Sequence, residues 1–384
     1  MKITFISCFD NYDIRIKPAI DFFESKGFDC DYVTSNFNHR SKKKNYERPY
    51  KNTTLLRVPE YKTNLSIKRI ISHIIFSYKA YKIVKKKSPD IVYMIIPPNF
   101  LVYLFKKIYL KNNTKVIYDV YDMWPETFPT NKKNKIINSI FLFWSGLRTK
   151  NIKYSNVILN ECKLFKDKID RDINSNSSEV LYLCGEDLDE SYFSEQRPLL
   201  LNSTSDEIIF SYIGSINNIL DIDLTTDILH EVNKIKKVKF LIIGDGEKKS
   251  ELLNNLDRLK INYEHYGLIY DNELKKEILQ KSMFGINLMK DTVFVGLTMK
   301  SIEYFKNGIP IINNIKYDTQ VLVENYGAGF NFKNDKEEIV KKILEHSQYE
   351  NIFLKENTKK LYKKVFSQSA YNSNMEKIWG KYLI

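Results

Sequence analysis

The sequence predicts an α/β protein made of two Rossmann-like domains, each built around a parallel sheet. Short apolar runs alternate with helical patterns along the chain, which is typical of parallel βαβ units. The length of 384 residues is too great for one small core and suits two domains. A charged and polar stretch separates two such series, so we expect a first domain at 1–193, a linker at 194–206, a second domain at 207–365 and a final helical segment at 366–384.

The first series of strands starts at the first residue. Apolar runs predict strands at 2–7, 28–34, 52–58, 91–96, 115–119 and 157–160, with a helix at 14–26 that ends at Gly27. The opening has one basic residue and no small-residue cleavage site, so it indicates a strand and not a signal peptide. The apolar stretch at 91–105 is interrupted by prolines and is too short to span a bilayer. We therefore expect a cytoplasmic protein.

The excess of positive charge is confined to the first part of the chain. Residues 1–150 hold 28 Lys and Arg against 12 Asp and Glu, a net charge of +16, whereas 151–384 have a net charge of −3. Two helical patterns, at 68–87 and 136–147, combine this charge with aliphatic and aromatic residues. We expect their apolar sides to pack in the domain core. For the first helix these residues are Ile70, Ile71, Ile74, Ile75, Tyr78 and Tyr81.

A basic surface with aromatic residues suits an anionic membrane face, a lipid diphosphate or a nucleic acid. No zinc-finger spacing, RNA-recognition signature or helix-turn-helix pattern accompanies it, which argues against nucleic acid. The confinement of the charge to one part of the chain favours a membrane surface or a lipid diphosphate. No Asp-x-Asp pair and no group of histidines in the sequence is placed to hold a metal, and the four cysteines form no close pair.

The second series repeats the pattern around glycine turns. Runs at 208–215, 239–246, 263–267 and 284–288 predict strands, the first three of which lead into glycine turns, with helices at 247–259 and 271–280 between them. Gly244 begins a Gly-Asp-Gly turn between a strand and a helix, as in mononucleotide-binding folds, although the full GxGxxG motif is missing. This turn alone is a weak indication of a nucleotide site.

The stretch from 290 to 313 indicates function most clearly, because it reads as a loop, a short helix and a buried strand with a carboxylate inside. Thr298 is the predicted N-cap of the helix, and Gly308 with Pro310 ends it. The free N–H groups of such a helix start suit a phosphate or diphosphate. Glu303, about one turn further on, has two oxygens for the hydroxyls of a ribose; the alternative is an ordinary solvated helix residue. Together these features predict a nucleotide site.

This segment resembles the donor-binding motif of family-4 glycosyltransferases and their GT-B relatives, and the order of strands and glycine turns matches the family's donor domain throughout. The resemblance implies two Rossmann-like domains that face a cleft, with a C-terminal helix that crosses back to the first domain. It assigns Lys300 to the diphosphate and Glu303 to the ribose. The implied donor-binding residues are Gly214, Ser215, Asn217, Gly244, Tyr266, Gly267, Gly296, Leu297, Thr298, Met299, Lys300 and Glu303.

The chain departs from this family at two places that concern the donor. Many members carry an earlier Glu eight residues before the second, where this chain has Val295. Many also place an Arg and a Lys shortly after the first glycine turn, whereas Gly214 is followed here by Ser-Ile-Asn-Asn. We therefore expect the charge of the diphosphate to be compensated by Lys300, Lys290 or the helix dipole.

A second resemblance concerns residues 118–126, which are similar to the Asp-x-Trp-Pro-Glu segment of bacterial polysaccharide glycosyltransferases. Its polar side chains are expected to meet a sugar, because the carboxyl ends of parallel strands line the ligand crevice. Tyr121 stands where relatives often have a His. Trp124 is either a packed turn residue or a ring that stacks on the acceptor. The acidic residues of the segment are Asp119, Asp122 and Glu126.

The first loop contains Asp13-Ile-Arg15, which resembles the family's first-loop Asp-x-Arg with its basic side chain in the cleft. The alternative is a surface ion pair on the first helix. We interpret two sets of residues on this basis. The acceptor-side residues are Asp13, Arg15, Asp119, Tyr121 and Glu126, and the catalytic residues are Asp122, Lys300 and Glu303.

The resemblance implies a retaining, metal-independent hexosyltransferase that uses no cofactor. Its substrates would be a nucleotide-diphosphate sugar and a lipid-linked saccharide in the biosynthesis of a bacterial surface polysaccharide, such as a capsule or the O-antigen of lipopolysaccharide. With the basic first part, it implies a peripheral protein on the inner face of the cell membrane that binds no nucleic acid. Two alternatives remain open: a GT-B sugar-nucleotide epimerase, and a catalytically silent binding subunit of a transferase complex, which the two departures would explain.

Overall fold

The computed structural model describes residues 1–9, 12–39, 41–63, 66–111, 113–127, 135–174, 178–188 and 207–383. The chain divides into two compact units, Met1–Gly185 with Gln368–Ile384, and Glu186–Ser367. The predicted linker at 194–206 lies outside the described residues.

Parallel pairing organises the first unit, as the alternating pattern predicted. Its strands are β1 (Lys2–Ser7), β2 (Asp29–Ser35), β3 (Phe37–Asn38), β4 (Lys43–Lys44), β5 (Thr53–Leu56), β6 (Ile91–Ile96), β7 (Lys115–Val120), β8 (Val157–Asn160) and β9 (Ser178–Val180). Seven of them form one sheet in the order β5-β2-β1-β6-β7-β8-β9, and all neighbouring pairs are parallel. The short strands β3 and β4 form an antiparallel pair.

Helices connect these parallel strands, because a crossover needs a segment that packs back on the sheet. They are α1 (Asp13–Ser25), α2 (Ile67–Lys87), α3 (Asn99–Lys111), α4 (Lys135–Thr149) and α5 (Lys163–Ile173). The buried strand β6 is apolar along its whole length, as expected for a central parallel strand covered on both faces.

The second unit repeats this architecture. Its strands are β10 (Ile208–Ile213), β11 (Val238–Ile243), β12 (Asn262–Gly267), β13 (Phe284–Asn287), β14 (Ile311–Asn313) and β15 (Gly329–Asn331). They form one parallel sheet in the order β12-β11-β10-β13-β14-β15. Its helices are α6 (Ile222–Asn233), α7 (Lys249–Arg258), α8 (Asn272–Gln280), α9 (Met299–Lys306), α10 (Asp318–Tyr326), α11 (Lys336–Glu345) and α12 (Gln348–Val365).

The predicted runs 208–215 and 239–246 each contain a strand and the glycine turn that follows it. β10 and β11 end at residues 213 and 243, directly before Gly214 and Gly244. These glycines have φ angles of 128° and 149°. Residues with a side chain rarely adopt such φ angles, so the backbone turns away from the strand at the position where glycine permits it.

The last helix, α13 (Gln368–Tyr382), belongs to the first unit, which confirms the expectation that the C-terminal helix returns to the first domain. Trp379 packs edge-on against Phe23 and Phe28, with ring centroids 5.5 and 5.3 Å apart. Lys26 and Glu376 form an ion pair of 2.6 Å between α1 and α13. The predicted fold class, with two parallel α/β sheets, is therefore confirmed.

The prediction for the helix at 68–87 is wrong about which side is buried. Of the residues expected in the core, Ile71, Ile74 and Tyr78 are exposed to 43%, 36% and 50%. The other three, Ile70, Ile75 and Tyr81, are half-buried. The residues that α2 does bury are Arg69, Ser72, His73, Phe76, Ser77, Ala80 and Val84.

Aromatic rings beneath α2 explain why this mixed face is the buried one. The Arg69 guanidinium lies over the Trp124 ring, 4.5 Å from its centroid. His73 packs edge-on against Phe9 and contacts Trp144, with centroids 5.3 and 6.1 Å away. Aromatic faces attract cations, so a helix face that carries arginine is well accommodated here.

Candidate functional site

Three glycines form a row at the carboxyl ends of β10, β11 and β12. The Gly214 N–H donates to the Ile243 carbonyl at 2.9 Å, and the Gly244 N–H donates to the Gly267 carbonyl at 2.7 Å. A Cβ on Gly244 would lie only 1.9 Å from the carbonyl oxygen of Gly214, so only glycine fits this close approach. This edge of a parallel sheet is where open α/β folds bind their ligands.

Lys300, in the first turn of α9, extends toward this row. Its Cε lies 3.5 Å from the position that a Cβ on Gly214 would occupy, and its Nζ lies over the Tyr212 ring, 4.3 Å from the centroid. Burial lowers the pKa of Lys300 to about 7. An anionic ligand here would stabilise the charged form, because an opposite charge within about 4–6 Å raises the pKa of an ammonium.

The start of α9 confirms the predicted cap. The Thr298 hydroxyl accepts the N–H of Ser301 at 3.0 Å, as an N-cap does. The loop before α9 is fixed by Thr319 of α10. The Gly296 carbonyl accepts hydrogen bonds from both the N–H and the hydroxyl of Thr319, at 2.9 and 2.8 Å. Leu297 is buried, and the side chain of Met299 is exposed. A fixed loop and a capped helix start suit the binding of an anion by backbone amides.

Glu303 lies about one turn after Lys300, and its side chain is 30% exposed. Its Oε1 is 3.8 Å from the Lys275 ammonium and accepts a long hydrogen bond of 3.4 Å from the Asn307 amide. Glu303 is therefore a partly exposed carboxylate with neighbours on two sides. This geometry leaves both sequence interpretations, a ribose ligand and a solvated helix residue, open.

Tyr304, which sequence reasoning missed, fixes α9 against the sheet. Its hydroxyl donates to the Ser211 carbonyl at 3.0 Å and accepts the Ile213 N–H at 3.1 Å. Its ring occupies the space over Gly285, where a Cβ would lie 2.5 Å from a ring carbon. Tyr304 thus fixes the distance between α9 and the end of β10, where the Gly214 turn begins.

The remaining predicted donor residues lie in the loops after β10 and at the end of β12. Ser215 is exposed, and its carbonyl accepts the Tyr212 hydroxyl at 2.8 Å. The Asn217 side chain accepts the N–H of Ile219 at 3.1 Å within its own loop. The Tyr266 hydroxyl donates to Glu264. The structure thus brings the predicted donor residues to one edge of the second sheet.

A ladder of asparagines at the carboxyl ends of β13, β14 and β15 was also missed. Asn287, Asn313 and Asn331 are register partners, and their side chains are joined by hydrogen bonds of 2.9 and 2.8 Å. A cavity of about 250 Å³ lies beside them, lined by Asp291 from the loop before α9 and by Lys316. The signal in the sequence was the Asn that ends each of these strands.

In the first unit, Asp122 follows β7, and the Thr127 hydroxyl donates to its Oδ1 at 2.6 Å. Burial raises the pKa of Asp122, opposed in part by this hydrogen bond and by Arg69. Trp124 is a packed turn residue, because its ring is only 5% exposed and lies 6.0 Å from the Trp144 ring. Tyr121 is half-buried and packs edge-on against Tyr12, with centroids 4.5 Å apart.

The predictions for Arg15 need a correction. Its guanidinium forms a two-pronged ion pair with Asp119, with both contacts at 2.8 Å and both side chains fully buried. It also donates to the Leu181 and Tyr182 carbonyls. Arg15 is thus neither a side chain directed at a ligand nor part of a surface pair. Asp119 likewise faces inward, since it is fully buried and also accepts a hydrogen bond from the Tyr93 hydroxyl.

Glu126 forms an ion pair with Arg148, whose side chain is fully buried. Asp13 is the first residue of α1 and is half-buried. Of the acceptor-side candidates, only Asp13, Tyr121 and Glu126 therefore have exposed surface.

In the part of the chain that the structure describes, no group of three or more His, Cys, Asp or Glu side chains is placed to hold a metal ion. Nor does any helix there have the length and apolar character needed to cross a bilayer.

Comparison with solved structures relates this architecture to known proteins. Sucrose-phosphate synthase from Thermosynechococcus elongatus is similar over 99% of this chain and 98% of its own, with a TM-score of 0.73 and 12% identity. HepE from Anabaena, in complex with UDP, matches 99% of this chain and 100% of its own, with a TM-score of 0.67 and 11% identity. WaaG, a glycosyltransferase involved in lipopolysaccharide biosynthesis, covers 98% of this chain and 99% of its own, with a TM-score of 0.65 and 11% identity. No family model and no curated protein matches the chain. The chain therefore has the GT-B fold found in these glycosyltransferases.

Proposed function

We propose that this protein is a glycosyltransferase that uses a nucleotide-diphosphate sugar as its donor. The observation that carries the proposal is the position of Lys300, at a capped helix start beside the Gly214 turn, within a GT-B fold. Support also comes from HepE of the same fold, whose structures contain UDP or UDP-glucose. A uridine diphosphate sugar is accordingly the first donor to test.

The chemistry of glycosyl transfer accounts for the residues at this edge of the sheet. Negative charge develops on the diphosphate as the bond to the sugar breaks, and preorganised donors at that point lower the barrier. Lys300 and the backbone amides at the start of α9 would stabilise this charge. Glu303 would accept hydrogen bonds from the ribose. No metal is needed for this arrangement, and we propose that the reaction is metal-independent, needs no cofactor and retains the anomeric configuration.

The two departures from the family make Lys300 more important here. Residues 215–223 contain no Lys or Arg, so the loop after Gly214 supplies hydroxyl and amide groups but no positive charge. Lys290 is exposed at the other end of the loop before α9. The donor sugar would be held by backbone amides near Val295 or by polar residues such as Asp291.

For the acceptor, we propose a lipid-linked saccharide, with transfer contributing to a surface polysaccharide such as capsule or lipopolysaccharide. The similarity to WaaG and the net charge of +16 in the first 150 residues support this assignment. Asp122 would contact the acceptor, because it lies at the carboxyl edge of the first sheet. Burial raises the pKa of its carboxyl group, which makes the carboxylate a better proton acceptor for the acceptor hydroxyl. Tyr121, Asp13 and Glu126 would border this side. The protein would work at the inner face of the cell membrane.

Donor binding and turnover test the proposal. A thermal-shift screen against nucleotide sugars should show stabilisation by at least one, because a ligand that binds only the native state raises the apparent stability. With that donor, release of nucleoside diphosphate should occur slowly with water and faster with a lipid-linked saccharide. Glu303→Ala should weaken donor binding, whereas Glu277→Ala, on the exposed side of α8, should not. Absence of stabilisation by every nucleotide sugar would contradict the proposal.

The same assay separates the two alternatives. A sugar-nucleotide epimerase would convert the donor without an acceptor and release an altered sugar. A silent binding subunit would bind the donor but release no nucleoside diphosphate. Two features of the sequence favour the silent binding subunit as an alternative: Val295 stands where relatives have an acidic residue, and the loop after Gly214 has no positively charged residue.

A further inference from the structure

The outward side of α2 carries a row of exposed apolar side chains. Ile67, Ile71, Ile74 and Tyr78 are exposed to 74%, 43%, 36% and 50%. Their spacing of four, three and four residues places them on one stripe of a helix, over roughly 16 Å of its length. A helix on the surface of a soluble domain normally has its polar residues on this side. The row therefore needs a partner other than its own domain.

α4 adds a second group of exposed apolar residues. Leu142, Phe143 and Ile140 are exposed to 73%, 69% and 43%. The two helices contact each other, since the rings of His73 on α2 and Trp144 on α4 lie 6.1 Å apart and both are buried. The exposed residues of both helices thus belong to neighbouring elements of the first unit. We call the seven residues the apolar rows: Ile67, Ile71, Ile74, Tyr78, Ile140, Leu142 and Phe143.

The charge around the row on α2 identifies the kind of partner. α2 has no acidic residue among its 21 residues. Lys68, Lys82, Lys85 and Lys86 are exposed, and the Lys82 ammonium lies over the ring of Tyr78, 4.6 Å from its centroid. A row of aliphatic and aromatic side chains beside exposed lysines is the pattern of a helix that lies in the interface of an anionic bilayer.

We propose that the apolar rows of α2 and α4, with the neighbouring lysines, dock the first unit onto an anionic lipid bilayer. This inference deepens the proposed function and rests on it for its biological role, because it names the surface that would hold the enzyme at its lipid-linked acceptor. Nucleic acid fits less well, because the aliphatic side chains would gain nothing from a phosphate backbone. The isoleucines would enter the level of the lipid head groups, and the lysines would face the anionic phosphates.

The test is cosedimentation of the full chain with vesicles, with and without phosphatidylglycerol. The wild type should bind vesicles that contain phosphatidylglycerol and bind phosphatidylcholine vesicles much less. Ile71→Asn with Ile74→Asn should reduce partitioning at least about tenfold, because the change removes apolar contact without changing the charge. Lys85→Gln with Lys86→Gln should reduce it about fivefold per charge at low salt, and added salt should shrink this difference.

A matched control comes from the second unit, where Ile235 is 69% exposed. Ile235→Asn makes the same substitution at an isoleucine that is even more exposed than Ile71 and Ile74, and this variant should bind vesicles like the wild type. Circular dichroism and thermal unfolding should show that all variants remain folded. The inference would be overturned if the isoleucine and lysine variants bound vesicles as strongly as the wild type. It would also be overturned if the wild type bound neutral and anionic vesicles equally well. Self-association that the isoleucine variants abolish, without vesicle binding, would also overturn it and would indicate a protein interface.

Donor binding distinguishes failure of this inference from failure of the proposed function. The isoleucine variants should bind a soluble nucleotide sugar with wild-type affinity, because the apolar rows lie in the other unit. Vesicle binding without any donor binding would support the docking surface and contradict the proposed function. Donor turnover by a protein that does not bind anionic vesicles would support the proposed function and contradict the docking surface.

Discussion

Replacing Lys300 by methionine should weaken donor binding and remove its pH dependence. The change keeps the length of the side chain but removes the ammonium that lies beside Gly214. A hydrogen bond to a charged group contributes about 1.5–3 kcal/mol, so donor affinity should fall about 10- to 100-fold at pH 6. At that pH wild-type Lys300 is mostly protonated, because its pKa in the free protein is about 7.

The same lowered pKa gives the pH profile. A bound diphosphate favours the protonated lysine and raises its pKa, so binding above pH 7 requires uptake of a proton. The dissociation constant should be nearly constant below the free pKa and then rise, by about 7- to 25-fold between pH 6 and 8.5, until the bound lysine also loses its proton. A sugar nucleotide is the right ligand, because its diphosphate has no terminal phosphate that titrates in this range.

Stability should move in the opposite direction to affinity. The unfolded chain keeps the lysine proton up to about pH 10.4, whereas the native protein loses it near pH 7. The unfolded state therefore binds more protons in this window, and wild-type stability should rise with pH through the contribution of Lys300. Lys300→Met lacks this partly buried charge and should be more stable at pH 7 by about 1–3 kcal/mol.

Lys355 provides a matched control in the same unit. It is only 3% exposed, and burial, with Lys359 nearby, lowers its pKa to about 7. Lys355→Met should therefore also stabilise the protein but should leave donor affinity and its pH profile unchanged. Isothermal titration calorimetry in two buffers of different ionisation enthalpy measures both the affinity and the proton uptake. A wild-type affinity that is independent of pH, or a pH profile that survives in Lys300→Met, would show that Lys300 does not contact the diphosphate.

Three further predictions concern stability. Arg15→Met should destabilise the first unit by about 3–5 kcal/mol in chemical unfolding, because it leaves the Asp119 carboxylate buried without its guanidinium. The double variant Arg15→Met with Asp119→Asn should be less destabilised than Arg15→Met alone, and equal destabilisation of the two variants would contradict a direct pairing. Burial lowers the pKa of His73 well below its usual value, so the native state resists protonation and stability should fall as pH drops below about 6.5. His73→Phe should flatten that acid limb in thermal unfolding, and an unchanged limb would assign it to other groups. Tyr304→Phe should destabilise the protein by about 1–3 kcal/mol, because the partly buried Ile213 N–H loses its acceptor. It should also weaken donor binding, since α9 is then held less firmly, and wild-type stability of this variant would contradict the role of Tyr304.

Local chemistry made much of the second unit predictable from the sequence. The Thr298 cap depends on residues three apart, and the structure shows the expected hydrogen bond to Ser301. The end of α9 depends on Gly308, whose φ of 66° favours glycine. The glycine turns after β10 and β11 likewise follow from residues next to one another in sequence. Such features need no knowledge of how distant segments pack.

Contacts between distant segments were not predictable in the same way. Arg15 and Asp119 are 104 residues apart, and their pairing requires the strand order that places β1 and β7 on either side of β6. The asparagine ladder requires the register of β13 with β14 and β15. For α2, helical periodicity identified an apolar side but not the aromatic rings beneath the helix, and these rings favour burial of the side that carries Arg69.

The proposed donor site depends on binding of a diphosphate by the start of α9 and the Gly214 turn. A crystal structure of the protein with UDP or UDP-glucose would show this contact directly. We expect phosphate oxygens within hydrogen-bond distance, about 2.7–3.2 Å, of the Lys300 ammonium and of backbone amides between Gly296 and Lys300. A nucleotide bound at another place, or with its phosphates directed away from Lys300, would show that this helix start is not the diphosphate site.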